Sequence, residues 1–368
     1  MRRRSGQRII PLILMLAMIM SLLACSDGTN NNNSVGGDQE TKTVTDCMKR
    51  DVEIPKDPQK VAVLYASTAH MMAMLDEGDK IVATPRGVKS DEIMLMKYPK
   101  IADTATPYQE NTINVEELVS IGADLALVRR TTAENETETE KLDKLGIPYL
   151  VVDYENITEL REAIAVMGDV FDKEQQAGDY LNFFDQTIDM VTESIKDVDD
   201  SNYPKVYHSV NEAIRTDAGH DICMEIMELA GTDNVAANQN LTSESDKSYT
   251  TLEEIYNWNP YAIIANEYSV TDYILEDSKW KGLKAVENKH VYTLPVGATR
   301  WCHPGSMEAH MGVLAVANFF HEDALANIEI EEYTKDYYKD YFDLDLDDKT
   351  IKKILSGKGM RVSNSPQQ

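Results

Sequence analysis

The sequence predicts an α/β protein of two lobes, each built on a parallel sheet, joined by one long helix. Three observations carry that prediction. A fifteen-residue segment occurs twice: Asn114–Val128 (NVEELVSIGADLALV) and Thr251–Ala265 (TLEEIYNWNPYAIIA) align without a gap at an offset of 137 residues. That spacing is about one domain and too long for a solenoid repeat. Short apolar runs alternate with helical segments through both halves, the pattern of parallel sheets covered on both faces. Between the halves, Lys173–Asp197 keeps an unbroken helical period.

Each copy of the repeat begins with a capping residue, an apolar residue and two glutamates, then breaks at Gly122 or Asn259-Pro260 and ends in an apolar strand. A weaker echo precedes it in both halves: Met74–Ala83 (MLDEGDKIVA) and Met227–Ala236 (MELAGTDNVA) share a Met, a Gly and a closing Val-Ala. Two echoes in the same order indicate duplication.

The remaining elements follow from apolar patterning. The first strand spans Val61–Tyr65, a helix runs from about Ala69 to Glu77 and closes at Gly78, and the second strand is Ile81–Thr84. Leu125–Val128, a short helix at Lys141–Leu145 and the strand Tyr149–Asp153 complete the first lobe. Ala177, Tyr180, Leu181, Phe184, Ile188, Val191 and Ile195 lie on one face of the connecting helix. Asp172 and Gln175 resemble a capping box at its start. The second lobe opens with the strand Lys205–Val210 and a helix near Cys223–Leu229, and its last strand is His290–Leu294. Met307–Leu355 reads as helical and rich in Tyr. The expected division is 51–155 for the first lobe, 156–200 for the connecting helices and 201–368 for the second lobe with its helical tail.

The N-terminus has Arg2, Arg3, Arg4 and Arg8, followed by an apolar stretch from Ile9 to Ala24. This pattern predicts a cleaved signal peptide over residues 1–24. Its end, Leu22-Leu23-Ala24-Cys25, resembles a bacterial lipobox, which predicts acylation of Cys25 and anchoring to the cell membrane. Residues 25–50 then hold the lipidated Cys and a tether, polar to about Thr45 and including the run Asn30–Asn33. Loss of residues 1–24, which hold four positive charges and no negative ones, moves the formal net charge from −27 to −31. So acidic a chain is a poor partner for nucleic acid. Cys47, Cys223 and Cys302 remain, and their spacing leaves open which of them pair.

Ligands of parallel sheets bind beyond the carboxyl ends of the strands. Those ends bring Tyr65, Arg86, Arg129, Arg130, Arg215, Tyr268, Arg300, Trp301 and His303 forward as candidate ligand-binding residues. Arginine suits two-pronged grip on oxyanions, and five of the eight arginines after residue 24 fall in these loops. Trp301, Tyr268 and Tyr65 offer flat faces for stacking. No GxSxG, HExxH or phosphate-loop motif occurs, so no catalytic residue is expected. A metallohydrolase using His220, His303 and carboxylates is the competing class. Glu117 and Glu254 stand at the capping position of the repeat helices, and Glu116 and Glu253 where a negative charge suits the helix dipole.

In order along the chain, these residues resemble the lipid-anchored solute-binding proteins of ABC importers for iron–siderophore, haem and cobalamin. The resemblance rests on Val52-Glu53-Ile54-Pro55, Asn114-Val115-Glu116-Glu117, Leu145-Gly146-Ile147-Pro148, Leu229-Ala230-Gly231, Leu252-Glu253-Glu254-Ile255 and the run from Trp280 to Pro295. It implies two Rossmann-like lobes, a ligand between them, and a permease with its ATPase as partners. It further implies an extracytoplasmic monomer without an intrinsic cofactor, and Glu116 and Glu253 as the residues that dock on the permease. An anionic ferric chelate is the implied ligand, with cobalamin or haem as alternatives. The chain departs from the family pattern at His70, where an acidic residue is usual, and at Arg300-Trp301-Cys302-His303-Pro304.

Overall fold

The computed structural model describes residues 40–360, apart from 110, 218, 220, 245 and 246. The leader, Cys25 and His220 lie outside the described residues. Two four-stranded parallel sheets organise the chain. In the first, Val61–Val63 pairs with Ile81–Ala83 on one side and Leu125–Val128 on the other, and Tyr149–Val151 follows. In the second, Lys205–Ser209 pairs with Asp233–Asn234 and Ala262–Ala265, and Val291–Thr293 follows. Numbered within each lobe, both sheets have the order 2-1-3-4. The repeat in the sequence is thus a repeat in topology.

The strands are apolar throughout because both faces are covered. Val61 and Val63 face one core, whereas Ala62 and Leu64 face another. Leu125 and Leu127 divide from Ala126 and Val128 in the same way, as Val206 does from Tyr207 and Ile264 from Ile263. One of these cores is common to both lobes. It runs from Val61 and Met71 through Tyr180 and Phe184 of the connecting helix to Val313, Tyr337 and Phe342. Each lobe adds a private core on its outer face.

The repeat helices Val115–Ile121 and Leu252–Trp258 have matched ends. The Asn114 side chain accepts from the Glu117 amide and Thr251 from the Glu254 amide, contacts typically worth about 1 kcal/mol each. Both helices close on a left-handed residue, Gly122 at φ 64° and Asn259 at φ 44°. The reciprocal half of a capping box is absent at Glu117, whose carboxylate accepts from the Thr106 amide at 3.0 Å.

The connecting helix is Glu174–Ile195, 22 residues preceded by a separate helix at Ile157–Val170. At 1.5 Å per residue it spans about 33 Å. The expected capping box does not form: Lys173 is the cap without a side-chain bond. Asp172 takes a left-handed turn and pairs with Lys42 at 2.6 Å, while Gln175 bonds Asp179. Two further expectations are corrected. The tether does not reach Thr45, because Thr41–Thr45 forms an antiparallel hairpin with Asp51–Pro55 that buries Val44 and Ile54. The helix expected to close at Gly78 ends at Met74, with Asp76 supplying the positive φ. Gly78 is small for another reason: a methyl group there would stand 2.4 Å from the Tyr98 ring.

The C-terminal helices Ala309–Phe320, Ile330–Phe342 and Asp348–Leu355 do not form a tail on the second lobe alone. They return to the first lobe, where Lys353 pairs with Glu92 at 2.6 Å and the Glu92 amide bonds the Met360 carbonyl. Cys47, Cys223 and Cys302 are all free thiols.

Candidate functional site

The carboxyl ends of both sheets carry the residues singled out from sequence. In the first lobe, the strand Val61–Val63 leads to Tyr65, which caps the helix Ala66–Met74. The strand Leu125–Val128 leads to Arg129, which caps the short helix Arg130–Ala133. The Arg129 guanidinium lies over the Tyr65 ring at 4.9 Å. Its side chain is 48% exposed, and its charged partner, Asp153, is loosely placed at 3.7 Å. Asp153 is occupied elsewhere, accepting from the Arg130 and Tyr154 amides at 3.0 Å each. Burial pushes the Tyr65 phenol well up, against the pull of Arg129, so Tyr65 is a neutral hydroxyl at physiological pH. Arg86 is exposed at the end of Ile81–Ala83 and makes no hydrogen bond or ion pair among the described residues.

The other arginines are committed to structure. Arg130 pairs with Glu159 at 3.3 Å. Arg300 and Glu267 form a buried ion pair. Arg215 lies in a strand rather than a loop, because Arg215–Thr216 pairs with Lys247–Tyr249 in a small antiparallel sheet.

In the second lobe, Tyr268 is half-buried at the start of the helix Tyr268–Glu276. The segment from Val296 to Glu308 is pinned from inside. Glu308 is fully buried and accepts from the Thr299 amide and hydroxyl at 2.6 Å and from the Tyr338 hydroxyl at 2.5 Å. Burial lifts its carboxyl to about 7, and those hydrogen bonds restrain the rise. The pinning drives Trp301 into the shared core with no exposed surface. Trp301 therefore does not present a stacking face to the cleft. His303 remains half-buried, and its Nδ1 accepts from the Gly305 amide at 3.2 Å. This loop approaches the first lobe: a methyl group at Gly305 would stand 3.1 Å from Tyr65 Oη. Tyr65, Arg129, His303 and Gly305 thus mark where the two rims come together.

Glu116 and Glu253 are exposed at the first turns of the matched helices. A helix that precedes a parallel strand runs antiparallel to it, so both glutamates stand at the carboxyl-end rims, one per lobe. His70, where an acidic residue is usual in the resembling family, is buried and bonds Asp91 at 3.0 Å. Asp91 in turn caps the helix Glu92–Lys97, which makes His70 a packing and capping residue.

Sequence reasoning missed Asp153 and Glu159, and it placed Glu267 at the strand end facing the cleft without its pairing to Arg300. Asp153 had a signal, since it ends an expected strand. Glu159 is an ordinary helix residue, and only the fold brings it to Arg130.

The comparisons agree with this architecture. The periplasmic binding protein family matches residues 61–296. The molybdate-binding protein MolA of Haemophilus influenzae is 22% identical over 325 residues, covering 82% of this chain and 91% of that protein. An uncharacterized ABC transporter substrate-binding lipoprotein of Bacillus subtilis, YvrC, is 25% identical over 300 residues, 79% of this chain and 90% of that protein. Among solved structures, molybdate-bound MolA superposes with a TM-score of 0.74 at 21% identity, covering 83% of this chain and 99% of that one. A periplasmic solute-binding protein of Veillonella parvula gives 0.74 at 22% identity, with 86% and 97% covered. With two lobes of identical strand order on a connecting helix, and the family match spanning both sheets, this chain belongs to the periplasmic binding protein family.

Proposed function

We propose that this chain is the substrate-binding component of an ABC importer and that its cleft captures an anionic metal species. The observation that carries the reading is Arg129, an exposed guanidinium held over Tyr65 at the strand ends of a strongly acidic protein. Arg86 adds a second cation on the same side of the sheet. A local positive edge on an acidic surface concentrates oxyanions and orients them. The mechanism is binding without chemistry. Arg129 and Arg86 pair with ligand oxygens, and the neutral Tyr65 hydroxyl and His303 donate hydrogen bonds. The name of MolA, a molybdate-binding protein, supports a metal-bearing anion, and that of YvrC, an ABC transporter substrate-binding lipoprotein, supports a transporter whose permease and ATPase would be the partners here. Glu116 and Glu253 then face the permease, and Cys25 carries the lipid that holds a monomeric protein at the membrane.

A ferric chelate is the larger ligand of this class and a molybdate-sized oxyanion the smaller. Two observations favour the smaller. The Gly305 loop stands close to Tyr65, and Arg130 and Arg300 are engaged by Glu159 and Glu267. Haem and cobalamin require broad apolar faces, and Trp301, the largest candidate, is inside the core.

The test is calorimetric titration of the purified protein with molybdate, tungstate, ferric citrate, a ferric hydroxamate, haem and cobalamin. One anionic metal species is expected to bind below about 1 μM, roughly −8 kcal/mol. Arg129→Ala should weaken it about 10- to 100-fold, the range for a charge-assisted contact. Binding of none of the anions, or unchanged affinity in Arg129→Ala, defeats the reading.

A further inference from the structure

Beneath the rim of the second lobe lies a cluster that ligand capture does not use. His208, Cys223 and Cys302 come from three separate elements: a central strand, the start of the helix Ile222–Leu229, and the pinned loop after the last strand. All three are fully buried. One ligand atom from each, an imidazole nitrogen and two sulfurs, lies within 4.8 Å of the others. Asp217, Asp221 and Cys223 form a second such group, so a carboxylate oxygen of each aspartate adjoins the Cys223 sulfur. Asp221 already caps its helix through one oxygen, accepting from the Cys223 and Met224 amides at 3.0 Å each. Its other oxygen is not engaged by that cap.

The His208 ring is oriented for coordination. Its Nδ1 is bonded to Asp217, the carboxylate–histidine arrangement that holds a ligand imidazole in place. Its Nε2 is buried, and the ring interacts with the Cys302 sulfur as well as with Asp217. A buried imidazole set against thiols, with a carboxylate behind it, is a donor arrangement that a metal ion satisfies. The two sulfurs are neighbouring free thiols rather than a disulfide.

We propose that His208 Nε2, Cys223 Sγ and Cys302 Sγ, with Asp221 as the fourth donor, hold a Zn2+ ion in the second lobe, separate from the cleft. Two thiolates, an imidazole and a carboxylate are a tetrahedral donor set for a thiophilic d10 ion. Donor atoms at zinc bond lengths of ~2.0–2.3 Å stand about 3.3–3.8 Å apart, inside the 4.8 Å within which the His208, Cys223 and Cys302 atoms lie. The carboxylates Asp217 and Asp221 favour a dication over a monovalent soft ion, because twice the charge is neutralised. Coordination displaces the two thiol protons, which pass to solvent, and no electron moves. With His208, Cys223 and Cys302 fully buried, the ion enters as the lobe folds and ties the Arg300–His303 loop to the sheet. The cluster's chemistry is independent of what the cleft binds.

Elemental analysis of protein purified under reducing conditions without chelator tests this. One zinc per chain is expected in the wild type and in Cys47→Ser, and less than a tenth of that in Cys223→Ser, Cys302→Ser and His208→Gln. Because the variants could fail to fold, Co2+ substitution of the wild type supplies a second readout: thiolate-to-cobalt charge-transfer absorption, displaced by one equivalent of Zn2+. Folded, reduced wild type with only trace zinc and no charge-transfer band overturns the proposal. So does metal retained in Cys223→Ser and Cys302→Ser together, or a Cys223–Cys302 disulfide in the protein as secreted.

Discussion

The two lobes have one scaffold and opposite interiors. Both sheets run 2-1-3-4, both repeat helices cap on a side-chain oxygen and close on a left-handed residue, and both present an exposed glutamate at the rim. At the strand ends they part. The first lobe turns Arg86 and Arg129 outward. The second turns its polar groups inward, where Glu267 holds Arg300, Asp217 holds His208, and Glu308 gathers Thr299 and Tyr338. The difference shows how a duplicated scaffold separates roles. One copy leaves charge exposed at its strand ends, and the other uses the same positions for internal ion pairs and hydrogen bonds.

The largest expected effect concerns what the lobes share. Phe184 is fully buried in the common core, 4.7 Å from the His310 ring. Phe184→Ala should cost about 3–5 kcal/mol and shift one cooperative urea transition. Two separate transitions, one per lobe, would break the claim of a shared core.

A second effect sharpens the same point through pH. His310 is caged by Tyr180, Phe183, Phe184 and Tyr337, and neither ring nitrogen has a polar partner. Burial drops its pKa to about 3 from an ordinary 6.5. The folded state therefore binds fewer protons than the unfolded state between those values. Its contribution is intact above pH 6.5 and is lost as pH falls towards 3. Relative to His310→Leu, the wild type should lose about 1.4 kcal/mol per pH unit across that window. Equal pH dependence of the two proteins would show that His310 is solvated.

The smallest effect on the folded protein is expected where the lobes match most closely. Glu116→Ala with Glu253→Ala removes two exposed charges and should change stability by no more than about 0.5 kcal/mol per site. Ligand affinity should stay within about twofold while uptake through the importer is lost. Weakened ligand binding in the purified double variant would move these glutamates from docking to the cleft.

Much of this was legible along the chain because it is local. The strand Leu125–Val128, the caps Asn114 and Thr251, and the breaks at Gly122 and Asn259 all follow from patterns within fifteen residues. The arginine ring was legible only as positions. Arg129 and Arg300 both follow a strand and read alike, yet one is open and the other paired, because the acids that differ between them lie 24 and 33 residues away. Trp301 looked like a ligand face for the same reason: nothing nearby in sequence announces the Glu308–Tyr338 network that turns it inward.

By itself the sequence determined the α/β class, the duplication, the number of lobes and the linking helix, since these depend on apolar period and on caps acting over one or two turns. Only the tertiary structure decided that one core serves both lobes, that Arg129 stays exposed while Arg300 is paired, and that His208, Cys223 and Cys302 meet. Those outcomes depend on contacts across tens to hundreds of residues, where burial selects the partner and no local period records it.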